Sequence, residues 1–201
     1  RSHLTFTQST VVAGIPVKWD SDQVPHSLRT VVNYCINKGA YKPFGDKQMT
    51  AGHFAIKLSD NEFLSSIRKS NLNDLDKNGL VYVKTSGPDT VVAYGAKPSV
   101  GGQSQRIVFN DHPGFDCIVH FHSELKSNHI DDIPVVSQRE VECGSISCGK
   151  RTSEGLKEFK DGKIKAVMLD NHGPNIVFNR NTDPQLIINF INDNWDLSTK
   201  T

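Results

Sequence analysis

His120 and His122 stand two apart in the run Cys117-Ile118-Val119-His120-Phe121-His122. The run is rich in β-formers, and in a strand residues i and i+2 face the same side. Both imidazoles can then reach one ion while Phe121 points into the opposite layer. Two neutral imidazoles suit zinc, nickel, copper or iron far better than magnesium or calcium. A firm site needs a third ligand. The best candidate is His172, in the tight turn Asp170-Asn171-His172-Gly173-Pro174 that follows an apolar strand. Three protein ligands with one open position is the arrangement of a catalytic zinc. Zinc is therefore the expected ion, with another divalent transition metal as the alternative. The remaining histidines (His3, His26, His53, His112 and His129) read as surface or core residues. Cys143 and Cys148 do not have the spacing of a zinc knuckle and read as ordinary thiols.

Positioning such a site takes a rigid frame, and the hydrophobic periodicity outlines one. Leu28, Val31, Val32, Cys35 and Ile36 recur at helical spacing over Ser27 to Asn37, with Gly39 as a stop. Phe54, Ile56 and Leu58 alternate as in a half-buried strand. Asp60-Asn61 is a turn, and Phe63 to Ile67 returns as the second arm of a hairpin. Leu80 to Val83 and Val91 to Tyr94 are further strands. A short helix is expected between Gln103 and His112, and a polar loop from Ser123 to Pro134. A second helix is expected over much of Thr152 to Lys160. Strands at Ile164 to Leu169 and Ile176 to Phe178 flank the His172 turn. A last helix runs from Pro184 to about Trp195, with Pro184 in its first turn. Residues 1–20 read as extended, an N-terminal extension or a vector-derived segment, and 21–201 as one domain. Successive hairpins with helices at both ends imply an α/β fold with a largely antiparallel central sheet covered by helices.

Composition narrows the function classes. The chain has 201 residues, 36% of them hydrophobic and 22% charged, as in a globular domain. It carries 23 basic against 22 acidic residues, a net charge of +1, with no long basic run, which argues against a nucleic-acid partner. No apolar run approaches the roughly 20 residues of a membrane helix. No signal peptide is visible, and four cysteines are too few for a disulfide framework, so a cytoplasmic location is expected.

Taken together, the motifs resemble those of the class II aldolase/adducin family. Val119-His120-Phe121-His122-Ser123 is similar to its metal-binding strand, V-H-x-H-S. Met168 to Pro174 is similar to its L-x-N-H-G stretch, which supplies the third histidine. Lys97-Pro98-Ser99 matches the family's P-S segment, and Thr50-Ala51-Gly52 the opening of its T-x-G-N-x-S phosphate loop. The four occur in the family's order, over roughly residues 24–195. The resemblance implies a three-layer α/β/α domain, commonly in a ring tetramer, so a homo-oligomer is expected. It also implies zinc held by His120, His122 and His172, and a small polar or phosphorylated carbonyl substrate. Thr50, Gly52, Arg68, Lys69 and Ser99 would line the anion side. A Lewis acid on the carbonyl would stabilise the charge left by C–C cleavage, and a positioned acid or base would move protons.

The chain also departs from that pattern. Catalytic members carry an acidic residue about two positions after P-S, where this chain has Gly101. No acidic residue lies between Asp89 and Asp111. His53 replaces the asparagine of the phosphate loop and Ala55 its serine. The second phosphate segment, usually T-x-x-G, reads Ser65-Ser66-Ile67-Arg68-Lys69-Ser70; Arg68 and Lys69 could bind an anion or be a solvated hairpin end. No tyrosine follows Tyr94, whereas several members place a catalytic one near the C-terminus. Glu124, two residues past His122, is the candidate substitute acid/base, and Asp170 near His172 a second. Three functions stay open: a metal-dependent lyase or epimerase on a sugar phosphate or similar polar carbonyl compound; a non-catalytic metal-binding or assembly domain; and one domain of a longer enzyme.

Overall fold

The computed structural model describes residues 8–45, 48–139, 144–160 and 162–198. Thirteen strands and five helices are assigned within them: β1 (Gln8–Val12), α1 (His26–Asn37), β2 (Pro43–Phe44), β3 (Met49–Thr50), β4 (His53–Ser59), β5 (Glu62–Ser66), α2 (Leu75–Asn78), β6 (Leu80–Gly87), β7 (Thr90–Tyr94), α3 (Gln103–Asp111), β8 (Cys117–His120), β9 (Glu124–Leu125), β10 (Val135–Val136), α4 (Ile146–Glu158), β11 (Ile164–Leu169), β12 (Gly173–Phe178), α5 (Pro184–Asn194) and β13 (Trp195–Asp196).

Nine strands form one sheet in the order β1-β7-β6-β5-β4-β8-β12-β11-β10. Only the two edge pairs, β1 with β7 and β10 with β11, run parallel. The largely antiparallel sheet expected from the hairpin pattern is therefore present. Side chains alternate across it as the pleat requires. Phe54, Ile56, Val119, Phe121, Ile176 and Phe178 enter the core with Leu28, Val32, Ile187 and Ile191 of α1 and α5. Ala55, Ile118, Val167 and Val177 enter the other core, with Val108 of α3 and Leu156 of α4. The result is helix, sheet, helix in three layers. Phe121 alone, fully buried, contributes about 1.5–3 kcal/mol to the first core.

Several element limits differ from those expected. The N-terminal stretch supplies the edge strand β1 and, in Trp19, a buried core side chain. Helix α4 begins at Ile146 instead of near Thr152, because Ser145 caps it by accepting a hydrogen bond from the Cys148 amide at 3.2 Å. Its Gly155 lies so close to β11 that a Cβ would stand 2.4 Å from Val167 Cγ2. Strand β8 ends at His120, two residues before the expected limit. Its ladder with β12 stops at the His120–Asn175 pair. Cys143 lies outside the described residues.

Candidate metal centre

The β8 and β12 ends bring the three candidate ligands together. His120 closes β8, His122 follows two residues on, and His172 sits in the turn between β11 and β12. Each offers one ligand atom, and the three atoms lie within 4.8 Å of one another. The turn geometry is demanding. Asn171 has φ 59° and Gly173 φ 114°, and a Cβ on Gly173 would fall 2.0 Å from the Phe121 carbonyl oxygen. Only glycine allows the turn to approach the His120–His122 segment this closely.

Electrostatics favour neutral, ligating imidazoles. Burial is the leading cause of the lowered pKa in all three, placing His120 well below its ordinary value and His122 at about 4. The neighbouring imidazoles lower His120 further, and His172 and Lys42 lower His122. The Pro174 carbonyl lies 2.7 Å from His120 Nδ1. A carbonyl only accepts, so Nδ1 carries the proton and Nε2 keeps the lone pair. A backing acceptor of this kind is what fixes the tautomer of metal-ligating histidines. The donor set and its backing therefore fit a divalent transition metal.

The triad opens into a cavity of about 340 Å³ whose wall includes Phe44, Met49, Val100, Cys148 and Leu169. Thr50, Gly52 and Lys69, expected on the anion side, line it too. Thr50 Oγ1, however, already accepts from the Leu72 amide at 3.0 Å and donates to the Ser70 carbonyl at 3.4 Å. Ser99 is buried behind the wall, its hydroxyl 2.8 Å from that of Ser66. Arg68 is exposed and does not line the cavity. Glu124 is exposed on β9, paired opposite Asp196 of β13, and Asp170 is exposed as well. Neither lines the cavity, and among the described residues no other carboxylate does. The loop where the acidic residue was expected makes a left-handed turn, with Val100 at φ 47°, Gly101 at φ 64° and Gly102 at φ 76°. A β-branched residue in that region is strained, and here it presses Val100 into the cavity wall.

Residues 41–181 match the model of the class II aldolase and adducin N-terminal domain. The chain belongs to that family. Among curated proteins none matches it significantly in sequence. Solved structures with the same fold include an L-fuculose-1-phosphate aldolase from Thermus thermophilus, at 18% identity and a TM-score of 0.56 over 83% of this chain and 88% of that one. A second L-fuculose 1-phosphate aldolase has a TM-score of 0.57 at 11% identity, over 86% and 84%. YgbL from Escherichia coli has a TM-score of 0.53 at 21% identity, over 74% and 75%. At these identities the likeness is one of fold. No helix of this class II aldolase-type domain, among its described residues, is long and apolar enough to cross a membrane.

Sequence reasoning missed one member of the site. His53, expected at the surface or in the core, is 4% exposed, and its ring centroid lies 5.0 Å from that of His120. It lines the same cavity. The signal in the sequence was its place in the phosphate-loop motif, directly after Thr50-Ala51-Gly52; the β4–β8 register that pairs it with His120 cannot be read from either segment alone.

Proposed function

We propose that the chain is a metal-dependent lyase or epimerase of the class II aldolase type. Its substrate would be a sugar phosphate or a similar polar carbonyl compound, and its ion zinc, held by His120, His122 and His172. The observation that carries this reading is the convergence of three neutral imidazoles, each offering one ligand atom, at the wall of a cavity. A zinc ion bound there supplies Lewis-acid polarisation of a carbonyl group. The chain's own residues set the stage for it. The Pro174 carbonyl orients His120. The apolar wall limits water and so strengthens polar interactions inside the cavity. Thr50, Gly52 and Lys69 face the same space.

A second reading is favoured by the glycine at position 101 and by the cavity's lack of a described carboxylate: a non-catalytic domain that keeps the metal for ligand capture or assembly. Elemental mass spectrometry of the purified chain, beside His120→Ala, tests what the two readings share. About one zinc per chain, lost in the variant, is expected of both. A screen of ketose phosphates and related hydroxy-carbonyl compounds then separates them. Metal-dependent turnover supports the enzyme; zinc binding without turnover of any member supports the binding domain.

A further inference from the structure

His53 occupies a defined place in the sheet. The β4–β8 ladder sets it opposite His120, and the β8–β12 ladder sets Asn175 on the other side of His120. Lateral neighbours in a sheet share a face. His53, His120 and Asn175 thus form one row, on the α3 side, at the cavity wall. Asn175 is 2% exposed, and its Oδ1 meets no protein partner.

The tautomer of His53 follows from its one hydrogen-bond partner. The Gln105 amide nitrogen Nε2 lies 3.2 Å from His53 Nδ1 and 3.4 Å from the Ser99 carbonyl oxygen. A carbonyl oxygen cannot donate, so the Gln105 atom facing it must be the NH2 group. That group donates to His53 as well. His53 Nδ1 is therefore the acceptor, and the single ring proton sits on Nε2. A nitrogen bearing a proton is not a metal ligand, which agrees with the absence of His53 from the group of three ligand atoms. The protonated nitrogen meets no protein acceptor among the described residues.

We propose that His53 is a substrate-contacting residue. Locked as the neutral Nε2–H tautomer by Gln105, it donates a hydrogen bond to the oxygen of a carbonyl compound seated at the triad. This inference rests on the metal-site reading above and deepens it. A neutral imidazole is a far weaker acid than imidazolium. It stabilises developing negative charge on an oxygen without surrendering its proton, and it does so in a site that excludes water. In a cavity with no described carboxylate, it is a buried polarising group that the chain itself provides.

Two measurements test this on the zinc-loaded chain of residues 1–201. The first is long-range 1H–15N NMR of the histidine rings, assigned with His53→Gln. We expect His53 to show an unprotonated Nδ1 and a protonated Nε2. A protonated Nδ1 overturns the proposal, and that readout is taken on the parent chain. The second is calorimetric binding of acetohydroxamate, a carbonyl-bearing chelator. His53→Gln is expected to keep one zinc per chain and to bind acetohydroxamate about tenfold more weakly, the size of one lost neutral hydrogen bond. Affinity within about twofold of the parent overturns the proposal, and so does loss of zinc from the variant, which would make His53 a ligand. Failure of the parent chain to take up zinc would instead overturn the triad reading itself, and this inference with it.

Discussion

Two neighbouring parts of the cavity wall use their polar atoms differently. On the histidine side, His120 is backed by the Pro174 carbonyl, which leaves its Nε2 lone pair for a ligand, and His53 keeps a donor of its own. On the side that the motifs assign to an anion, Thr50 Oγ1 joins the Ser70 carbonyl to the Leu72 amide, and Ser99 is paired with Ser66. The first side is arranged for something that is not protein. The second holds loops together. A hydroxyl already bonded at both its donor and acceptor ends has little left to offer a ligand, so an anion on that side would be met by Gly52 and Lys69, which line the cavity.

The sharpest way to break this contrast is at His120. His120→Ala removes one of three imidazoles and should lower zinc affinity by at least about 100-fold, measured by competition with a chromogenic chelator. Thr50→Val in the same assay should leave zinc affinity unchanged and instead lower the melting temperature. Equal losses of zinc in both variants would erase the distinction between the two sides.

Gly173→Ala tests the histidine side through the backbone. The new Cβ would meet the Phe121 carbonyl, at a φ that alanine rarely adopts. The expected cost is about 3 kcal/mol, read as a lower urea midpoint, together with weaker zinc binding because His172 precedes the displaced residue. Wild-type stability in this variant would mean that the turn is not held against the β8 end.

The legibility of the molecule follows the same division. Helix α1 could be read from periodicity, because burial on one face repeats at a fixed interval; strands β4, β5 and β11 could be read from their short apolar runs, although the sheet buries both of their faces and β4 is not the half-buried strand its alternation implied. The triad was legible because two of its members stand two apart at the end of one β-forming run and the third sits in a recognisable turn. His53 was not. Its role depends on which strand pairs with β8, and register between segments 60 or more residues apart leaves no local mark. The hydrogen bonds of Thr50 and Ser99 were hidden for the same reason, since their partners come from other segments. Gly101 stood out in the sequence for its lack of a carboxylate, but sequence could not show that the chain turns left-handed there.

A further effect separates the two sides by pH. Burial holds His53 at about pKa 3 and His120 well below its ordinary value of 6.5. In the metal-free protein these rings are neutral when folded and become protonated on unfolding below pH 6.5. The unfolded state then binds more protons, so stability is fully present above about 6.5 and falls as pH drops towards the folded values. Each fully buried ring contributes a slope of up to about 1.4 kcal/mol per pH unit. Urea midpoints of the metal-free chain should therefore fall between pH 7 and 5. Zinc should deepen the fall, because protons compete for its ligands. A flat profile over that range would mean that the rings are solvated, contrary to their burial.

The smallest predicted effect bears on the other side alone. Ser99→Ala removes the hydroxyl that meets Ser66 Oγ at 2.8 Å and donates to the Ser66 carbonyl at 3.1 Å. Ser66 Oγ still accepts from the Phe54 amide at 3.1 Å, so the variant loses only part of a network. The cost should be about 1 kcal/mol of stability, with zinc content unchanged. If Ser99 also served an anion, the variant would lose affinity for inorganic phosphate while stability barely moved. The two outcomes are opposite in kind, and a thermal melt beside a phosphate titration distinguishes them. A hydroxyl buried behind the cavity wall and bonded to a neighbouring strand belongs to the first.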